Sequence, residues 1–178
     1  SAILARSAAR VLVFLDASQN VKGATNENFG REVMELFTMG VGNYTEDDIR
    51  EAARAFTGWG NDDLTFVIDA EKHDAGHKKF LGREGNFTGE DILAIILEQK
   101  QTAIYIASKL YRCFVREEIL PAFAETLGNL LRDNRYEVAP FLRTIFLSQD
   151  FYSEPSVATH IKSPTELIVS TYRKLGLV

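Results

Sequence analysis

The chain has 178 residues, of which 46% are hydrophobic and 25% are charged, a balance typical of one soluble globular domain. At this length roughly 70% of the unfolded chain's surface can be buried, so the fold needs no metal or disulfide, and a single cysteine excludes an intrachain disulfide. The net charge of −5 and the lack of a basic stripe make nucleic acid a poor partner, and no apolar run approaches the roughly 18 residues of a membrane span.

Apolar residues recur at helical spacing through most of the chain, which predicts a mainly α fold. We expect a single domain over residues 1–178, a bundle of about seven or eight amphipathic helices. Start and stop signals place the helices at residues 2–15, 27–39, 46–57, 90–98, 102–115, 121–133, 138–147 and 164–175. Three helices begin with a capping box, made by Thr45 with Asp48, Thr88 with Asp91, and Ser163 with Glu166.

Two of the predicted helices carry clear apolar faces for a core. In helix 27–39 the apolar side chains on one face are Phe29, Val33, Leu36 and Phe37. In helix 46–57 the buried stripe is expected to be Ile49, Ala52, Ala53 and Phe56. Both helices therefore present one apolar and one polar side.

Residues 60–87 interrupt the helical pattern. Two β-like runs, residues 64–68 and 79–81, flank a polar loop at residues 69–78, which predicts one small β-hairpin or an irregular insertion. Irregular segments on a helical scaffold often carry function, so this insertion is a candidate region.

The polar face of helix 27–39 is the first candidate site. Glu27, Arg31 and Glu35 lie four residues apart, and Glu32 belongs to an adjoining ridge. Neighbouring carboxylates could raise the pKa of one of them for general acid catalysis, or could supply oxygen ligands to a hard cation. The alternative is an ion-pair ladder with a purely structural role.

The loop at residues 73–78 is the second candidate site. It places His73, Asp74 and His77 close together in the sequence, which could form a site for a divalent transition metal. Neither a helical HExxH motif nor paired CxxC motifs are present. The alternative is a turn in which His73 and Asp74 hydrogen-bond the backbone.

Other chemistries have no motif in this chain. There is no GxSxG elbow and no GxxxxGK[ST] or GxGxxG loop, so neither a nucleophilic serine nor a nucleotide cofactor is indicated. Cys113 lies within an apolar helix, where we expect a buried and inert thiol.

Residues 26–59, which read NENFGREVMELFTMGVGNYTEDDIREAARAFTGW, carry a specific family pattern. The pattern resembles that of the bacterial domain of unknown function 1800 family, whose activity is unassigned. Further matches are a segment with His73, Asp74, Gly76, Lys78, Leu81 and Gly82, the helix TAIYIASKLYRCFV, and the segment KSPTEL. Relatives commonly carry another residue at His77, so a shared site would use His73, Asp74 and Lys78 with Glu27, Arg31, Glu32 or Glu35.

The resemblance also implies a biological setting. Family proteins are longer, so this chain is expected to be the central-to-C-terminal core of a larger parent protein. Many members are exported bacterial proteins, often encoded beside a second uncharacterised family that resembles sulfatases and phosphatases. The resemblance therefore implies such a protein as a partner, and an exported parent protein.

Two functional hypotheses follow. The first is a helical binding or assembly module that acts with an exported partner in envelope or polysaccharide-related processes. The second is a metal-assisted hydrolase, with its site between the helix that carries Glu27 and Glu35 and the loop that carries His73 and Lys78. In the hydrolase, the metal would activate water and a free carboxylate would transfer the proton.

Overall fold

The computed structural model describes residues 11–63, 65–157 and 162–176. The chain divides into two compact units, residues 1–106 and 107–178. The prediction of a mainly α protein is confirmed, whereas the prediction of a single domain stays a prediction. Of the predicted helix 2–15, residues 11–14 are helical and residues 2–10 lie outside the described part of the chain.

The first unit contains α1 (Asn28–Glu32), a π-helical segment (Val33–Thr38), α2 (Glu46–Ala55), β1 (Trp59–Asp62), β2 (Thr65–Ile68), β3 (Lys78–Phe80), β4 (Arg83–Gly85) and α3 (Gly89–Glu98). Helix α4 (Lys100–Phe114) begins in the first unit and ends in the second. The second unit continues with α5 (Pro121–Asp133), α6 (Val138–Phe146) and α7 (Pro164–Lys174). The bounds of α2 to α7 agree with the predicted helices to within about two residues, the usual uncertainty at helix ends.

All three predicted capping boxes are present. At α2, the backbone N–H of Asp48 donates to Thr45 Oγ1 over 3.2 Å, and the backbone N–H of Thr45 donates to Asp48 Oδ2 over 2.8 Å. Each box satisfies backbone groups that have no partner within the first turn of a helix. Its sequence pattern therefore predicts where the helix starts.

The predicted helix 27–39 is not α-helical throughout, because α1 continues as a π-helical segment from Val33 to Thr38. The wider turn is held by side-chain hydroxyls: Thr38 Oγ1 donates to Val33 O over 2.6 Å, and Tyr105 Oη donates to Glu35 O over 3.0 Å. At Gly40 the backbone has φ +76°, and an added Cβ would lie 2.7 Å from the Tyr105 ring, so both the conformation and the contact require glycine.

The π-helical turn changes which side chains are buried. Phe29 and Val33 are buried as predicted. Leu36 and Phe37 are 46% and 50% exposed, so the prediction that they belong to the buried face is wrong. A π-helix has more residues per turn than an α-helix, which rotates the positions after Val33 away from the expected face.

The insertion contains two small hairpins. Strand β1 pairs with β2 in an antiparallel register that sets Trp59 opposite Ile68, and β3 pairs with β4 with Lys78 opposite Gly85. The two β-like runs in the sequence therefore do not pair with each other, since each has a partner adjacent in the chain. The β1 partner was missed because its sequence, WGND, has little β propensity.

The core of the first unit is built around aromatic side chains. Phe29 and Phe56 meet edge to face at a centroid distance of 4.9 Å, and Phe56 and Trp59 meet at 5.0 Å. Gly89 lies under Trp59, where an added Cβ would be 2.3 Å from the indole. The predicted stripe on α2 is confirmed, because Ile49, Ala52, Ala53 and Phe56 are at most 1% exposed.

The core of the second unit includes the buried side chains Tyr111, Leu127, Leu131, Phe141 and Ile145. The expectation of a buried thiol at Cys113 is wrong, because this residue is exposed beside the half-exposed Phe114. Within the described ranges, no helix combines the length and the apolar character that crossing a membrane requires.

Candidate functional site

The polar ridge of Glu27, Arg31, Glu32 and Glu35 begins on the turn that leads into α1. Arg31 makes a two-pronged ion pair with Glu46 at the start of α2, with N–O distances of 3.0 and 2.8 Å, and a second pair with Glu27 over 3.1 Å. The hydrogen bond from Arg31 lowers the pKa of Glu46 from its ordinary value. Arg31 therefore links α1 to α2, close to the point where Gly30 packs against the backbone of Ala53.

The other two acidic residues of the ridge have different surroundings. Glu35 lies in the π-helical segment, where its carboxylate accepts a hydrogen bond from Tyr44 Oη over 3.3 Å. Burial, together with the charge of Glu35, raises the pKa of Tyr44. Glu32 is half-buried and makes no side-chain hydrogen bond or ion pair to any described residue.

The His73–Lys78 loop is organised by Arg54 at the end of α2. Arg54 Nε donates to Asp74 Oδ2 over 2.8 Å, and Arg54 Nη1 donates to Glu51 Oε2 over 2.8 Å and to the His77 carbonyl over 3.1 Å. The second Asp74 oxygen accepts the backbone N–H of Gly76 over 2.8 Å. One guanidinium thus holds a helix carboxylate, a loop carboxylate and a loop carbonyl at once.

Thr57 fixes the start of the same loop. Its hydroxyl donates to Arg54 O over 2.6 Å and accepts the backbone N–H of Asp74 over 2.7 Å. The Thr57 carbonyl lies 3.0 Å from His73 Nδ1, and because a carbonyl only accepts, Nδ1 is the protonated nitrogen of that ring. The predicted turn, in which His73 and Asp74 hydrogen-bond the backbone, is the arrangement seen here.

Lys78 completes the loop from inside the protein. Its side chain is 1% exposed, and its ammonium donates to the carbonyls of Asp74 and Gly76. Burial lowers the pKa of Lys78, partly offset by the nearby Asp74 carboxylate. The ammonium is therefore a buried crosslink of the loop backbone.

Four residues of α2 and its C-terminal turn, spaced by three, hold the insertion in place; we call Asp48, Glu51, Arg54 and Thr57 the anchor stripe. Besides the contacts of Arg54 and Thr57, Asp48 Oδ1 accepts the backbone N–H of Leu81 over 2.8 Å, and Glu51 Oε2 accepts that of Lys79 over 3.2 Å. This stripe was not predicted from the sequence. The sequence signal that could have identified the stripe is the three-residue spacing of polar side chains along one side of a helix.

The structure assigns the two predicted site regions to different networks. Among the described residues, no hydrogen bond or ion pair joins the polar ridge to the His73–Lys78 loop. Arg31, which also pairs with Glu27, meets the first turn of α2, whereas Asp74 meets its last turn and His73 meets Thr57 just beyond it. The loop's long-range partners are thus Arg54 and Thr57 rather than the ridge.

The metal candidates His73, Asp74 and His77 have other roles here. The described residues contain no group of three His, Cys, Asp or Glu side chains arranged to hold a metal ion. Both Asp74 oxygens accept hydrogen bonds, and the hydrogen bond from Arg54 lowers the pKa of Asp74. His77 is exposed and contacts Arg54 through its carbonyl rather than its ring.

The fold and these contacts define a mainly helical protein in which charged residues of α1, α2 and the insertion pair with one another. Residues 4–177 match the family model described as "Protein of unknown function (DUF1800)", and the chain belongs to that family. No curated protein and no solved structure matches the chain.

Proposed function

We propose that this protein is a helical binding and assembly module, in which the charged residues of the segments that carry the family pattern maintain the shape of the scaffold. The observation that carries the proposal is that the charged groups of Arg54, Asp74 and Lys78 are all used in contacts within the protein. No buried side-chain nitrogen or oxygen among the described residues lacks a hydrogen-bond partner. A catalytic set usually keeps at least one polar group free for substrate, whereas a scaffold satisfies its polar groups internally.

The partner that we propose is an exported protein of the sulfatase-like or phosphatase-like family encoded nearby, in an envelope or polysaccharide-related process. This part of the proposal is supported by the family resemblance alone. The anchor stripe fits a module because it holds the His73–Lys78 loop and the start of hairpin β3–β4 on α2, so these segments keep one orientation towards a partner.

The alternative, a metal-assisted hydrolase, needs a carboxylate and an imidazole that can share one metal or one water. In this structure Asp74 is paired with Arg54, and Glu27 is paired with Arg31. The Glu32 carboxylate and His73 Nε2 make no hydrogen bond to a described residue, so Glu32 and His73 are the residues to mutate when hydrolysis is tested.

The two functions are separated by one set of variants. The protein is mixed with the purified neighbouring-encoded protein, and complex formation is measured by isothermal titration calorimetry. Hydrolysis of phosphate, sulfate and carboxylate esters is measured in parallel, with and without Zn²⁺ or Mn²⁺. His73→Ala and Glu32→Gln test the hydrolase, and His77→Ala is the matched control, since its exposed ring makes no hydrogen bond or ion pair with a described residue.

The module predicts a stoichiometric complex and no turnover above the buffer rate in any variant. Turnover that is lost in His73→Ala or Glu32→Gln but kept in His77→Ala, with unchanged circular dichroism, would contradict the module and establish the hydrolase. Absence of a complex would remove the proposed partner.

A further inference from the structure

The second unit contains an open pocket of about 780 Å³ between the end of α4, the connection at residues 116–120 and the start of α5. The lining residues that matter here are Arg112, Arg116, Leu120, Phe123 and Asp150. No functional role was predicted from the sequence for any of them, and the pocket shares no residue with the polar ridge or the anchor stripe. Its volume is that of a ligand site for a few peptide residues or a drug-sized molecule.

The pocket wall is fixed by a partly buried hydrogen-bond network. Tyr111, which is 1% exposed, donates its hydroxyl proton to Asp150 Oδ2 over 2.5 Å, and Asp150 Oδ1 pairs with Arg116 Nη2 over 2.7 Å. The Arg116 guanidinium also lies over the Tyr111 ring, 5.5 Å from its centroid. Burial and the bond to Asp150 raise the pKa of Tyr111, so the phenol stays protonated.

The charges in the pocket are largely paired. Arg116 is neutralised by Asp150, and Arg112 Nε lies 3.7 Å from a Glu117 carboxylate oxygen. A free inorganic anion would have to compete with these carboxylates, so an anion site is disfavoured. The terminal Nη atoms of Arg112 make no hydrogen bond within the described chain and remain available to a carbonyl oxygen.

The backbone of residues 116–120 is the unusual part of the wall. Among the described residues, the backbone N–H groups of these five residues have no hydrogen-bond acceptor. Two carbonyls of the segment are used: that of Glu117 accepts from Arg112 Nε over 3.2 Å, and that of Leu120 accepts from Phe123 N over 2.9 Å. Main-chain donors without an internal acceptor can pair with the carbonyls of an extended peptide ligand, as the donors of an exposed strand edge do.

An apolar surface lies beside these donors. Leu120 is 76% exposed at the N-cap of α5, where its backbone is extended with φ −72° and ψ 141°. Phe123 is half-buried and packs edge to face on Tyr111 at a centroid distance of 5.4 Å. An exposed leucine next to an anchored aromatic ring offers a place for one bulky apolar side chain.

We propose that this pocket binds an extended peptide segment that carries a bulky apolar side chain. The ligand's backbone carbonyls accept from the free N–H groups of residues 116–120 and from Arg112, and its apolar side chain packs against Leu120 and Phe123. The proposal rests on the proposed function as a binding module and names the chemistry of one of its ligands.

The test uses the full 178-residue chain and a phage-displayed library of random linear heptapeptides. Enriched peptides are synthesised with a fluorescein label, and their affinity is measured by fluorescence anisotropy. Their binding site is mapped from backbone amide shifts in ¹⁵N-labelled protein. Each peptide is then resynthesised with one backbone nitrogen methylated at a time, and Leu120→Ala is compared with Leu147→Ala, a similarly exposed leucine on the C-cap of α6.

We expect enriched peptides with a shared apolar residue, shifts centred on residues 112–123, and a loss of about tenfold in affinity in Leu120→Ala but not in Leu147→Ala. N-methylation at one or two central positions should also cost about tenfold, because the added methyl group prevents close approach of the two backbones. No enriched peptide, shifts confined elsewhere, or equal affinity for all methylated peptides would overturn the proposal. If any of these three results were found while the protein still formed a complex with the neighbouring-encoded protein, peptide binding by the pocket would be overturned. The proposed function as a binding module would stand.

Discussion

Arg54 and Asp74 are separated by 20 positions in the sequence, yet Arg54 Nε lies 2.8 Å from Asp74 Oδ2. Their side chains are 30% and 18% exposed, so water screens the pair only in part. Because Arg54 also holds Glu51 and the His77 carbonyl, this contact ties the end of α2 to both sides of the His73–Lys78 loop.

Asp74→Asn is expected to lower the free energy of unfolding by about 2 kcal/mol, because it removes the charge that Arg54 pairs with while the guanidinium stays partly buried. The measurement is urea unfolding at pH 7 followed by circular dichroism. Asp62→Asn is the control, since Asp62 is exposed on β1 and its side chain makes no hydrogen bond or ion pair with a described residue. Equal loss in both variants would contradict a specific role for the pair.

The same pair predicts a pH dependence. The hydrogen bond from Arg54 lowers the pKa of Asp74 in the folded protein, so its stabilisation is fully present above the unfolded-state pKa. It is lost as the pH falls through the lower folded-state pKa. The stability difference between the native protein and Asp74→Asn should therefore be constant from pH 7 to roughly pH 5 and shrink below roughly pH 4. A difference that does not change down to pH 2.5 would be inconsistent with this assignment.

Lys78→Met should destabilise the protein by about 1–3 kcal/mol, because it leaves the carbonyls of Asp74 and Gly76 without their buried donor. Lys79→Met is the matched control, because the neighbouring Lys79 side chain is 71% exposed. Thermal unfolding by calorimetry measures both. The buried-crosslink role fails if the two variants melt at the same temperature.

Gly89→Ala is expected to lower stability by about 1–3 kcal/mol through overpacking, since the new methyl group would lie 2.3 Å from the Trp59 ring. Gly60→Ala is a suitable control, because the nearest atom to an added Cβ there is 3.7 Å away. The two variants are compared by urea unfolding. Unchanged stability in Gly89→Ala would mean that Trp59 can shift aside freely.

Local signals in the sequence predicted the features that depend only on residues close together in the chain. The capping boxes at Thr45, Thr88 and Ser163 involve residues three apart, and all three are present. The Glu27–Arg31 pair at i,i+4 was also predicted as the structural alternative to a catalytic ridge. Neither feature depends on how distant segments of the chain meet.

Features that need distant segments could not be predicted. The π-helical segment is held by Tyr105, which lies 70 positions from the carbonyl of Glu35 that it binds. The anchor stripe was missed because Asp48 reaches Leu81 across 33 positions and Arg54 reaches Asp74 across 20. Helical periodicity marks these residues as a polar side, but it does not indicate which loop they hold.

Trp59 is the only tryptophan of the chain, and it is enclosed by Phe29, Phe56 and Phe66 in the first unit. Its intrinsic emission therefore reports on residues 1–106 alone, since residues 107–178 contain no indole. Comparing the fluorescence transition with the loss of helical circular dichroism from the whole chain shows, without any label, whether the two units unfold together. Coincident transitions would indicate one cooperative domain, and separate transitions would indicate two.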